Sequence, residues 1–137
     1  MAAPLDLLRK VPLFEGLSKR ELEQLSRSFK ENRFSAGAEI ATKGQRGVGF
    51  FVIGEGEVSY TVEGAETGRG GAGDYFGEVA LIDDGARTAT VKAVTDVTAY
   101  GLTPWDFRPL VEENASIAWE LLQAMAKRLR AADRRES

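Results

Sequence analysis

The sequence predicts a mainly β unit with helices at both ends, and three observations carry that expectation. Helical periodicity is confined to the two termini. Between about Phe34 and Leu102 it gives way to short runs rich in β-branched and aromatic residues. Glycines from Gly37 to Gly85 punctuate those runs at short intervals, as tight reversals between strands require. Short strands at regular spacing with glycine turns describe a barrel, a roll or a sandwich.

Taken in order, Leu5, Leu7, Leu8 and Val11 form an apolar cluster closed by Pro12. Ser18-Lys19-Arg20-Glu21 is a capping-box pattern, and Leu22, Leu25 and Phe29 then share one helical face. The expected strands are Phe50–Ile53, Val58–Val62, Thr88–Val91 and Asp96–Tyr100. Helix returns at Thr103-Pro104, where Thr103 suits the N-cap, Pro104 the first helical position and Asp106 the first turn. A last helix is expected from Asn114–Ser116 toward Arg135, with Ile117, Leu121, Leu122, Met125 and Leu129 as one apolar stripe. No linker or internal repeat interrupts the pattern, so residues 1–137 read as one domain: helices over 1–33, a β unit over 34–102 and helices over 103–137.

Composition narrows the chemistry. The 137 residues are enough for a core without staples. With no cysteine and no histidine, disulfides, Cys/His metal sites, cysteine nucleophiles and histidine-based triads are all excluded. Catalysis would have to rest on carboxylates, lysine or hydroxyls, and the expectation is a protein that is not an enzyme and uses no metal or cofactor. The net charge of −3 gives no sign of a nucleic-acid binder. No leader pattern opens the sequence and no apolar run is long enough to span a bilayer, so a cytoplasmic protein without membrane insertion is expected.

The most informative stretch is Phe76-Gly77-Glu78-Val79-Ala80-Leu81 followed by Arg87-Thr88-Ala89-Thr90-Val91. It sets a carboxylate and a guanidinium around a short apolar turn. A glycine before a helical turn lets an anion approach unpaired backbone N–H groups. The planar fork of Arg87 can grip two phosphate oxygens. Ionised Glu78 only accepts hydrogen bonds, so it suits a hydroxyl donor such as a ribose 2′-OH. The plain alternative is a structural Glu78–Arg87 salt bridge beside a turn.

This double motif resembles the phosphate-binding cassette, here residues 76–91, of cyclic nucleotide-binding domains of the catabolite activator, kinase regulatory subunit and cyclic nucleotide-gated channel type. Gly44-Gln45-Arg46-Gly47-Val48-Gly49-Phe50-Phe51-Val52-Ile53 and Gly56-Glu57-Val58 are similar to the glycine-punctuated signature upstream of it. The resemblance implies an eight-stranded β-roll with N-terminal and C-terminal helices. It implies that Glu78 takes the ribose 2′-OH and Arg87 the exocyclic phosphate oxygens, with Gly77, Val79, Ala80, Leu81 and Ala89 completing the cassette. Thr88 stands where cyclic-GMP-selective members contact guanine, which permits cyclic GMP without demanding it. Cyclic AMP is favoured, as the commoner ligand of the family. Val52 and Val62 are candidate apolar walls for the base or ordinary core.

Two positions depart from the pattern. Val48 replaces an acidic residue that often follows the upstream glycine pair. In the last helix Asp133 is the only short polar acceptor in Lys127–Asp133 that could meet an adenine amino group, and a solvated helix end is its alternative role. Gly68-Arg69-Gly70-Gly71-Ala72-Gly73 satisfies G-x-G-x-x-G, but no strand–helix context surrounds it, so it reads as a flexible turn leading into the cassette. The basic residues from Lys127 to Arg135 read as a solvated face near the helix C-terminus.

The expected function is therefore a sensor that binds a cyclic nucleotide and answers through its C-terminal helix, toward an effector protein or a homodimer. An Ile117/Leu121/Met125 seam is one candidate surface for that, and packing on the β-roll is the other use of the same stripe. The alternatives are the ligand-sensing fragment of a Crp-like transcription regulator, or a degenerate domain serving as an interaction module. No residues remain after Ser137 for a helix-turn-helix, so direct sequence-specific DNA binding is not expected of this chain.

Overall fold

The computed structural model describes residues 3–41, 49–77, 81–82 and 89–136. Three short helical pieces come first: α1 (Leu5–Arg9), a 3-10 turn (Pro12–Phe14) and α2 (Lys19–Ser26). The capping box at α2 is formed, with Ser18 Oγ accepting from Glu21 N and Glu21 Oε1 accepting from Ser18 N. Eight strands follow: β1 (Lys30–Phe34), β2 (Glu39–Ala41), β3 (Phe50–Glu55), β4 (Val58–Val62), β5 (Ala65–Gly70), β6 (Tyr75–Phe76), β7 (Thr90–Ala93) and β8 (Val97–Leu102). Two helices close the chain, α3 (Pro104–Glu113) and α4 (Ala115–Glu136). At α3, Thr103 caps the helix by accepting from Asp106 N, and Pro104 opens it, as the sequence predicts.

The strands form two antiparallel four-stranded sheets, ordered β1-β8-β3-β6 and β2-β7-β4-β5. This is the expected mainly β architecture with flanking helices. Four strands lie outside the runs expected from pattern: β1, β2, β5 and the two-residue β6. β1 begins at Lys30, ahead of Phe34, because pairing with β8 holds the charged run Lys30–Arg33 extended against its own weak β-propensity. β2 is only three residues long. β5 is a largely exposed edge strand that includes Gly68, Arg69 and Gly70, so half of the expected flexible turn is paired with β4. Gly70 has a reason to lack a side chain, since a Cβ there would meet the Tyr60 hydroxyl and the Asp74 carboxylate.

The core has two compartments that share a wall. Phe50 and Val52 on β3, with Tyr100 and Leu102 on β8, face the helices and pack with Leu8, Phe14, Leu22, Leu25, Phe29, Phe107 and Ile117. Ile53, Val97 and Ala99 face the interior of the roll with Ala41, Val58, Val91 and Ala93. A strand buried on both faces reads as a continuous apolar run, which is why Phe50–Ile53 shows no alternation. Val52, fully buried on the helix side, is therefore core and not a wall of the roll interior. Gly49 has φ +140°, and any Cβ there would collide with the backbone carbonyl of Leu102, so the entry to β3 demands glycine.

The last helix corrects the expectation of a single stripe. Ile117, Leu121 and Ala124 are buried, and α4 packs on the 3-10 turn and on α3. Leu122, Met125 and Leu129 point away from that face and are exposed. The seam containing Ile117 and Leu121 is thus committed to the protein's own helical layer, and Met125 belongs to a different face. Trp105 on α3 and Trp119 on α4 are also exposed, at 65% and 61%.

Candidate functional site

The predicted site centres on the chain between β6 and β7. Of its residues, Glu78, Val79, Ala80, Arg87 and Thr88 lie outside the described residues, as does the upstream segment Gly44–Val48. Gly77, Leu81, Ala89, Val62 and Asp133 are described, and four of them define how the segment is suspended.

Its beginning is fixed by aromatic packing. The Phe76 ring stacks on Phe51 of β3, with centroids 5.5 Å apart, and meets Tyr60 of β4 edge-on at 6.4 Å. β3 and β4 belong to different sheets, so Phe76 wedges between the two walls of the roll. Gly77 follows at once with φ +84°, a left-handed conformation that turns the chain out of β6. Sequence reading passed over Phe76, Phe51 and Tyr60 as supports; the signal was there in three aromatic residues at strand positions, but their mutual contact is set by topology.

The far end is fixed by strand pairing. Thr90 of β7 stands opposite Thr61 of β4, and Val91 opposite Ala41 of β2. Ala89 and Val62 sit one step beyond the Thr61–Thr90 pair, both half-buried, so the structure brings these two predicted site residues to the same rim. The candidate cassette therefore leaves from one sheet and returns on the other. Between its ends, Leu81 is buried and joins the helix-side core with Phe107, Leu110 and Ile117. Asp133 is exposed near the end of α4, beyond Ala124, the last residue of that helix in the buried set.

Electrostatics around the rim are local. Burial, and then the charge of Asp74, push the Tyr60 phenol above its ordinary value, so it is a neutral hydroxyl at physiological pH. Asp74 accepts from Gly71 N at 2.7 Å, which closes the turn before β6. Arg69 is committed to Glu57 and Glu66, at 2.8 and 3.0 Å, and these carboxylates raise its affinity for its proton further. Among the described residues no group of three or more acidic side chains is arranged to hold a metal ion. No helix among them is long and apolar enough to cross a membrane.

A roll of two four-stranded sheets, a glycine-initiated segment slung between them and flanking helices packed on one wall together define a ligand-binding regulatory fold. The chain belongs to the cyclic nucleotide-binding domain family, whose model matches residues 31–114. It is 44% identical over 90 residues to a cAMP-dependent protein kinase regulatory subunit of Mycosarcoma maydis, covering 63% of this chain and 17% of that protein. It is 39% identical over 87 residues to a cGMP-dependent protein kinase of Toxoplasma gondii, covering 64% of this chain and 9% of that one. The chain thus matches only a small part of the length of these relatives. Among solved structures it is similar to the N-terminal domain of a transcriptional regulator from Streptomyces coelicolor A3(2), with a TM-score of 0.85 and 32% identity, covering 93% of this chain and 94% of the other.

Proposed function

We propose that this chain is a non-catalytic sensor that binds a cyclic nucleotide, with cyclic AMP favoured and cyclic GMP admitted, and that α4 responds to the ligand. Family membership across residues 31–114, which include both halves of the cassette, is the observation that carries this reading. Arg87 pairs with the phosphate, Glu78 accepts from the ribose 2′-OH, and backbone N–H groups around Gly77, Ala80 and Ala89 complete the cradle. Val79 and Leu81 shape the turn, Thr88 adds a hydroxyl beside Arg87, and Val62 lines the rim. Relatives named for each nucleotide match this chain comparably, so the choice between them is left to experiment. Asp133 contacts an adenine amino group only if α4 closes over the roll.

The suspension of the cassette supports a route for the response. A ligand bound by the segment between Gly77 and Ala89 sits beside Leu81 in sequence, and Leu81 packs in the same cluster as α3 and the start of α4. The ligand biases α4 only to the extent that it binds one pose more tightly than another. Output then passes to an effector protein or to a second copy in the cytoplasm. Ala118, Leu122, Met125, Leu129 and Ala132 recur in alternating steps of four and three, with the three large side chains exposed, which suits a helix–helix seam. A second reading, the ligand-sensing part of a transcription regulator, is favoured by the near-complete overlap with the Streptomyces domain.

Calorimetric titration of nucleotide-free protein with cyclic AMP and then cyclic GMP tests the proposal. Saturable binding by the parent, absent in Arg87→Ala at unchanged circular dichroism, is expected. Equal binding by the variant overturns the cassette assignment. No binding of either nucleotide by the parent overturns the sensor reading and favours an interaction module.

A further inference from the structure

Helix α4 is joined to α3 by a single residue. Asn114 leaves helical space, with φ −130° and ψ 85°, between the last residue of α3 and the first of α4. Its side-chain amide donates back to Leu110 O at 2.7 Å, and its own carbonyl accepts from Ala118 N, so it ends one helix and begins the next. A one-residue joint leaves the angle between two helices free unless something else sets it.

Two side-chain hydrogen bonds reach this joint from the other end of the chain. Ser116 Oγ donates to Glu21 Oε2 at 2.6 Å, and Gln24 Nε2 donates to Asn114 Oδ1 at 3.3 Å. Glu21 and Gln24 lie one turn apart on α2. The Glu21 carboxylate is already oriented, because its other oxygen accepts from Ser18 N in the capping box. An acceptor held in place for one purpose loses little further freedom in serving a second. Ile117 fills the core directly beside the pair. Packing of Ile117 seats the helix, and the directional bonds at its first turn add a constraint on its rotation.

We propose that the Glu21–Ser116 and Gln24–Asn114 pairs are a latch that holds the first turn of α4 against α2, so that α4 swings only when both bonds open. The Ser116–Glu21 bond is solvent-exposed, the Gln24–Asn114 bond part-buried, and further along Lys127 pairs with Glu15 at 3.3 Å between exposed side chains. The latch rests on the packing of the chain itself and stands whether or not a nucleotide binds, so failure of the titration above leaves it intact.

Hydrogen–deuterium exchange on the whole chain without added nucleotide tests it. In the Ser116→Ala/Gln24→Ala double variant, amides in the first two turns of α4 should exchange about three- to tenfold faster, while those of β3 and β8 keep the parent rates. Ser116→Thr keeps the hydroxyl and should stay near the parent. Unchanged α4 exchange in the double variant overturns the latch. So does equal acceleration in β3 and β8, which marks general loss of stability, or a Ser116→Thr variant that behaves like Ser116→Ala.

Discussion

Phe76 and Gly77 illustrate how two adjacent residues can set a site neither of them fills. The ring holds the end of β6 between the sheets, and the glycine turns the chain away from it. Replacing Gly77 with alanine forces an L side chain into the left-handed region and should cost about 1–2 kcal/mol in a thermal melt. Phe76→Ala should cost about 3 kcal/mol, near the low end for phenylalanine because the ring is only half-buried. It should also weaken nucleotide binding with Arg87 and Glu78 in place, measured by the same titration. At this scale the sequence was informative about chemistry and silent about support. Glu78 and Arg87 stood out through the motif around them, since a Glu/Arg pair alone reads equally as a structural salt bridge, and both lie outside the described residues. Nothing local marks Phe51, Tyr60 and Phe76 as partners, since they come from three strands in two sheets.

Elements bounded by side-chain chemistry were legible, and elements held by their neighbours were not. The capping box of α2 and the Thr103-Pro104 start of α3 stand where the sequence predicts them, because their hydrogen bonds lie within four residues. β1 and β5 were missed because ladder partners, not propensity, hold them extended. The stripe on α4 was divided between two faces only by what packs against it. Ser18→Ala should lower stability by about 1 kcal/mol. The Ser116 hydroxyl first, and then the Ser18 amide, hold the Glu21 carboxyl below its ordinary range, against a smaller opposing effect of burial. A carboxylate depressed in the folded state stabilises it above the unfolded value and loses that contribution as pH falls through the folded one. The melting-temperature gap between parent and Ser116→Ala should therefore narrow as pH falls from neutral through the carboxylate range.

Across the whole molecule, the shared wall of β3 and β8 ties the roll interior to the helical layer, and α4 carries an apolar face that the chain itself leaves open. If that face joins two copies, light scattering should give a dimer mass for the parent and a monomer mass for Leu122→Glu/Leu129→Glu, with unchanged circular dichroism and a melting temperature that depends on concentration only in the parent. The two tryptophans of the chain both stand on the C-terminal helices, Trp105 on α3 and Trp119 on α4, and both are largely exposed. Indole emission from this protein consequently originates wholly outside the β-roll. An added nucleotide, itself non-fluorescent, can alter emission colour, intensity or collisional quenching only through the surroundings of those helices or by reaching them directly. The molecule is thus built with its own optical gauge of helix position, free of any extrinsic dye.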